Sequence, residues 1–184
     1  MKKVFPLEIM QGMSEMDSYI LMLTEPESGK NVPVLIGDHE AEVLIMTVEQ
    51  VKTKRPMTHE LLLNILDNYS IVLKHVIISK YEEGIFYSTL ILHDGFNEKH
   101  IDSRTSDAIA LALTVNSPIY IEDSVLEETC IQPDSMVQNL PQNKKSSLSI
   151  EELEILLQHC IENEEYEMAE ELMKKIERIK NDTR

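Results

Sequence analysis

Seven side chains in this sequence have the types and positions that phosphate chemistry uses: Glu40, Arg55, His59, Asp102, Arg104, Ser106 and Asp107. The densest group is Ile101-Asp102-Ser103-Arg104-Thr105-Ser106-Asp107, where three formal charges and three hydroxyls run straight into Ala108, Ile109, Ala110, Leu111, Ala112 and Leu113. A helix that is apolar almost all the way round belongs in a core. Its polar mouth is therefore held where carboxylates and hydroxyls can satisfy free backbone N–H groups. If all seven residues shared one cluster, it would suit cleavage of a phosphodiester. Asp102, Asp107 and Glu40 could hold a divalent metal, Mg²⁺ or Mn²⁺, and orient water. His59 could move a proton, and Arg55, Arg104 and Ser106 could steady a phosphate. Each residue also has a plainer role open to it: His59 as a surface or capping side chain, the Asp/Arg/Asp set as an ion-pair network, Glu40 as one of three solvated glutamates, and the whole turn as an N-cap.

The elements that must position these groups follow from periodicity. Residues 4–10 are β-rich. The runs 19–23 and 32–36 flank a turn containing Pro26, Gly29 and Asn31, which predicts an antiparallel hairpin. Asp38 is placed to cap a helix with Ala41, Leu44, Ile45 and Val48 on its apolar face and Glu40, Glu42 and Glu49 on the other. A basic loop follows, Lys52-Thr53-Lys54-Arg55-Pro56-Met57, which on its own is equally a solvated linker. Thr58 is placed to cap a second helix with Leu61, Leu62, Ile65, Leu66 and Tyr69 on one side. From residue 71 the period changes to two, giving a second hairpin about Glu82-Glu83-Gly84 and a third strand that runs into the apolar helix. A short strand at 118–121 and a short helix or turn at 123–130 close this part. The pattern predicts an α+β fold, an antiparallel or mixed sheet with about three packed helices.

Residues 132–147 are rich in Pro, Asn, Gln, Lys and Ser and read as a linker. Beyond it, Ser149-Ile150-Glu151-Glu152 forms a capping box before a helix with Leu153, Leu156, Leu157, Cys160 and Ile161 in phase. After a break at 163–165 a second helix carries Ala169, Leu172, Met173, Ile176 and Ile179. Such a helical hairpin is too small to bury both stripes alone and must seek a second copy or another surface.

At 184 residues and 42% hydrophobic content the chain has room for one ordinary domain with a small appendage. A net charge of −16 has the wrong sign for blanket neutralisation of phosphates, so any nucleic-acid chemistry must be local. That charge also favours the alternative of a non-catalytic regulatory or adaptor protein that binds a ligand or partner; a purely structural oligomer is the third reading. The acidity is spread along the chain: through Gln138 there are 10 Lys and Arg against 22 Asp and Glu. No run reaches the roughly 18 apolar residues of a membrane span, which points to a cytoplasmic protein. Cys130 and Cys160 show no metal or disulfide spacing, and GxGxxG, GxxxxGK[ST], GxSxG and HExxH are all missing.

Four stretches, Ile36-Gly37-Asp38-His39-Glu40-Ala41, Arg55-Pro56-Met57-Thr58-His59-Glu60-Leu61-Leu62, Gly84-Ile85-Phe86-Tyr87 and residues 101–112, resemble the bifunctional nuclease domain family in order and spacing. The resemblance covers about residues 1–135. It implies an α+β domain, usually oligomeric, credited in some members with cleaving both DNA and RNA. It makes Glu40, Arg55, His59, Asp102, Arg104 and Asp107 motif positions, not assigned catalysts. Thr105 stands where that family usually has proline, and Glu60 where aspartate is usual. The tail, Glu151-Glu152-Leu153 to Leu157 with 165–176, is similar to the UVR motif, a hairpin that pairs with other such hairpins, departing from it at Met173-Lys174-Lys175. The expected organisation is thus a nuclease-like domain at 1–135, a linker at 136–148 and a partner-binding hairpin at 149–181, with a homo-oligomer formed through the first domain.

Overall fold

Among the described residues, period-two alternation becomes seven strands, β1 (Lys2–Gln11), β2 (Ser18–Glu25), β3 (Lys30–Gly37), β4 (Val72–Glu82), β5 (Ile85–His93), β6 (Glu98–Arg104) and β7 (Ile119–Ile121). The 3.6-residue pattern becomes α1 (Asp38–Val48), α2 (Thr58–Asn68), α3 (Thr105–Thr114), α4 (Asp123–Thr129), α5 (Ile150–Glu162) and α6 (Tyr166–Asp182). The computed structural model describes residues 1–11, 18–51, 53–131, 150–162 and 166–182. The linker read at 136–148, Ser149 of the capping box and the break at 163–165 lie outside the described residues.

The strands form one mixed sheet in the order β3-β2-β1-β7-β4-β5-β6. All neighbours are antiparallel except β4 and β7, where Val76, Ile77 and Ile78 run parallel to Ile119, Tyr120 and Ile121. The β4–β5 turn uses Glu83 and Gly84, both at positive φ (50° and 85°), as a two-residue hairpin requires. In the β2–β3 loop the buried Glu25 carboxylate accepts the backbone N–H groups of Glu27 (2.9 Å) and Ser28 (2.8 Å), so the loop carries its own anion. The fold is α+β, as the pattern predicts.

The core lies between the sheet and its helices. Val4, Leu21, Leu23, Val34, Val76, Ile78 and Leu90 from the strands meet Ala41 and Leu44 of α1, Val125 and Leu126 of α4, and the buried run Ala108 to Ala112 of α3. The alternating alanines of α3 let it sit close to the sheet while α1 and α2 pack on its flanks. The first three helices end alike: Gln50, Ser70 and Asn116 take the left-handed conformation, and the next residues' N–H groups, on Val51, Ile71 and Ser117, reach back to the carbonyls of Met46, Leu66 and Ala112. This is the Schellman arrangement, made here without glycine.

Helix starts differ from the expected caps. Gly37, Met57 and Arg104 occupy the cap positions of α1, α2 and α3, so Asp38, Thr58 and Thr105 are the first helical residues. The Glu60 carboxylate reaches back to accept the Met57 N–H at 2.8 Å, so the longer acid closes the start of α2 in place of a threonine cap. Thr105 turns inward instead and shares a buried 2.8 Å hydrogen bond with the Ser88 hydroxyl of β5.

The apolar faces are also shared differently. In α2 it is Leu63 and Leu66 that face the core, while Leu61, Leu62, Ile65 and Tyr69 stay exposed. In α1, Val48 is exposed and Glu42, read as solvated, is buried, while the side chain of Glu49, just past the end of the helix, is largely covered. The cause is the tail: Leu153 and Cys160 of α5 and Ala169, Leu172 and Ile176 of α6 close over Ile45 and Met46, with Ile9, Val51 and Met57 at the rim. The surface that the amphipathic hairpin must find is α1 of its own chain. Among the described residues no helix is long and apolar enough to cross a membrane.

Candidate functional site

Strand β6 delivers Arg104 to the start of α3, and strand β3 delivers Gly37 to the start of α1; because α1 packs on α3, the two helix starts adjoin. Arg104 joins them. Its Nε and one terminal nitrogen donate to the two oxygens of Asp107 (2.7 and 3.1 Å), and its other terminal nitrogen donates to Glu40 Oε1 at 2.7 Å. The Asp107 pair spans one helical turn and is bidentate, the geometry in which an arginine–carboxylate bond is strongest. Asp107, and after it Glu40, hold the guanidinium charged well above its already high ordinary range. The three groups are unequally covered: Arg104 is 66% exposed, Asp107 51% and Glu40 23%.

These three bonds use three of the five guanidinium N–H donors. The cluster therefore keeps donors for an incoming anion, although its own charge is net negative. Glu40 is also fixed from behind, since its second carboxylate oxygen lies over Gly37, where a Cβ would approach it to 2.5 Å. Gly37 has ordinary extended dihedrals, φ −77° and ψ 170°, so what it supplies is space. Gly37→Ala is accordingly expected to push the flexible Glu40 carboxylate off Arg104 while moving the melting temperature by no more than about 4 °C. Melting curves and a structure of the variant check this.

The other nominated residues do not join this cluster. Asp102 pairs with Thr89 in the β5–β6 register. Side chains alternate along a strand, so it lies on the sheet face opposite that of Ser88 and Ser103, away from α3. Ser106 and Arg55 make no hydrogen bond or ion pair through their side chains among the described residues, and Arg55 is exposed. His59 opens α2, which packs on α3. Burial pushes its imidazole below the ordinary value, and Glu60 opposes only part of that shift.

Glu40 and Asp107 are bridged by Arg104, and among the described residues Asp102 makes no hydrogen bond or ion pair with any of the three, so the carboxylates nominated for a metal do not converge. Among the described residues no group of three or more His, Cys, Asp or Glu side chains is arranged to hold an ion. As placed among the described residues, this donor set does not fit a divalent cation.

The basic loop holds a partner that the sequence reading missed. Lys54 pairs with Glu170 of α6, and Lys175 donates to the Glu49 carbonyl and, at 2.5 Å, to its carboxylate. Only complementary charge signalled these pairs, since their members lie more than a hundred residues apart.

An α+β domain whose first and third helices start on a shared arginine–carboxylate cluster is the class that fold and site define. A family model described as the bifunctional nuclease domain matches residues 21–134, and the chain belongs to that family. It is similar to two curated proteins of Mycobacterium tuberculosis, both called uncharacterized: MT1877 of strain CDC 1551 / Oshkosh and Rv1829 of strain H37Rv. Each is 34% identical over 109 residues, which is 59% of this chain and 65% of the relative. The chain thus spans a little under two thirds of the length of these relatives.

Proposed function

We propose that the chain hydrolyses phosphodiester bonds of DNA or RNA in the cytoplasm, with Arg104 as the phosphate-binding group. The observation that carries this reading is a guanidinium held at the joined starts of α1 and α3 with two N–H donors to spare. Glu40 and Asp107 set its plane; the spare donors receive the phosphate oxygens, and the helix starts add their positive dipole ends. Charge gained by those oxygens in the transition state strengthens the same bonds, which is how a fixed donor accelerates the step. His59, which opens the neighbouring α2 outside the cluster and is kept neutral at pH 7 by burial, is the base in this reading, taking the proton from the attacking water once substrate spans the two helix starts. A water oxygen–phosphorus bond forms and a phosphorus–ester oxygen bond breaks, and the proton held by His59 passes to the departing oxygen, leaving a phosphate monoester and a hydroxyl. Arg55 and Ser106 hold neighbouring phosphates.

This assignment has a pH signature. A histidine with a lowered pKa stays neutral to lower pH, so cleavage persists as pH falls through 6.5 and is lost only further down. His59→Ala is expected to remove that acid limb along with most of the rate. Rate against pH for both proteins is the check.

Two exposed apolar surfaces accompany the site. Leu61, Leu62, Ile65 and Tyr69 of α2 form an uncovered stripe suited to a homo-oligomer through the first domain, and Ile161, Tyr166 and Met173 of the UVR-like hairpin suit a protein partner. The second reading is a non-catalytic regulatory or adaptor protein, favoured by the net charge of −16 and by the two carboxylates already on Arg104. Incubation of purified protein with single- and double-stranded DNA and RNA, in Mg²⁺, Mn²⁺ or chelator, separates the two. Cleavage of any of the four supports the nuclease, and inertness toward all supports the adaptor.

A further inference from the structure

The α5–α6 hairpin is fastened to the body in three ways, and two of them bear on the basic loop. Its apolar stripe closes over Ile45 and Met46 and takes in Val51, just before the loop, and Met57, its last residue. Lys175 sits at the C-terminal end of α1, bonded to the Glu49 carbonyl and carboxylate, where the helix dipole favours a cation. Glu170 meets Lys54 of the loop with one carboxylate oxygen and Lys174 with the other, at 3.0 Å. The two ammonium groups, Lys54 first, hold the Glu170 carboxyl below its ordinary range. An anion already stands on the lysine beside Arg55.

We propose that the hairpin is an autoinhibitory clamp on the basic loop: docked, it occupies Lys54 with Glu170 and packs Met57; released, it yields Lys54 and Arg55 to the phosphates of a nucleic acid. The inference rests on the reading that this loop binds phosphate. The Lys54–Glu170 pair is about half exposed on both sides, so it supplies competition more than adhesion, and the apolar stripe supplies the adhesion. Docking also takes Glu42 and Glu49 out of water. That costs hydration and keeps the docked state releasable. Glu170 and Lys54 are 116 residues apart, so the contact exists only while the hairpin is seated.

The test uses the full chain, a fluorescent single-stranded phosphorothioate oligonucleotide at low salt, and anisotropy as the readout. Glu170→Gln is expected to tighten binding about two- to fivefold, the range of one exposed ion pair. Glu177→Gln, which removes the same charge from an exposed position on α6, is the control and should bind as the parent does. Leu172→Asp places a charge in the buried stripe and expels the hairpin; binding should tighten further, and trypsin should now cut within residues 166–182. Two results overturn the clamp: Glu170→Gln no tighter than Glu177→Gln, or a protease-exposed hairpin in Leu172→Asp with unchanged binding. Because the probe resists hydrolysis, missing cleavage of ordinary DNA or RNA with this pattern intact would count against the nuclease reading alone.

Discussion

Replacing Arg104 by alanine is expected to lower phosphodiester cleavage about a hundredfold or more, the usual cost of removing a donor that faces developing transition-state charge. It should leave the fold in place, because the side chain is two-thirds exposed and its ion pairs contribute no more than about 1 kcal/mol to stability. Two effects add in the same direction. The phosphate loses its donors, and Glu40 and Asp107 are left as unneutralised carboxylates at the mouth of the site, where they repel the substrate. Arg104→Lys keeps the charge but loses the planar fork that contacts both Asp107 oxygens, so it should recover only part of the rate. Steady-state kinetics beside circular dichroism and melting curves for the three proteins would measure both halves of the expectation. Full activity in Arg104→Ala would remove the arginine from the chemistry.

The largest effect on stability is expected at Ile109. It has no exposed surface and sits in α3, the helix against which α1, α2 and the sheet all pack, so Ile109→Ala leaves a cavity that no neighbour can fill without moving an element. The cost should be about 3 kcal/mol, a large share of the roughly 5–15 kcal/mol that holds a domain folded. Val115→Ala, just past the end of the same helix and substantially exposed, should cost less than about 0.5 kcal/mol. Urea titration gives both values. A loss below about 1 kcal/mol at Ile109 would mean that α3 is not the centre of the core.

Most of this architecture can be read along the chain because it rests on local repeats. Pro26 with Gly29 marks one hairpin and Glu83-Gly84 another, and the apolar run after Asp107 marks the buried helix. Strand order is a different matter. A period of two says which face a side chain takes but names no partner, so nothing in Ile119-Tyr120-Ile121 announces that it lies between β1 and β4 and runs parallel to β4. The site divides in the same way. Arg104 and Asp107, three residues apart at a helix start, are legible as a pair, whereas the Glu40 contact spans 64 positions and comes from the packing of α1 on α3. Asp102 is adjacent to the cluster in sequence yet takes no part in it: it stands opposite Thr89 in the β5–β6 ladder and, among the described residues, no hydrogen bond or ion pair ties its side chain to Arg104. Glu42 and Glu49 look solvated on a helical wheel; what buries them is an element more than a hundred residues downstream.

Cleavage of nucleic acid at the Glu40–Arg104–Asp107 cluster, the proposed chemistry, should depend on each of the three side chains. The most direct test is cleavage of an end-labelled oligonucleotide by the parent and by Arg104→Ala, Glu40→Gln and Asp107→Asn, each purified through identical columns and assayed across the fractions of its own protein peak. Cleavage is expected to follow the parent peak and to fall in all three variants, most in Arg104→Ala. Cleavage of equal strength in all four, or activity that elutes apart from the protein, would contradict it.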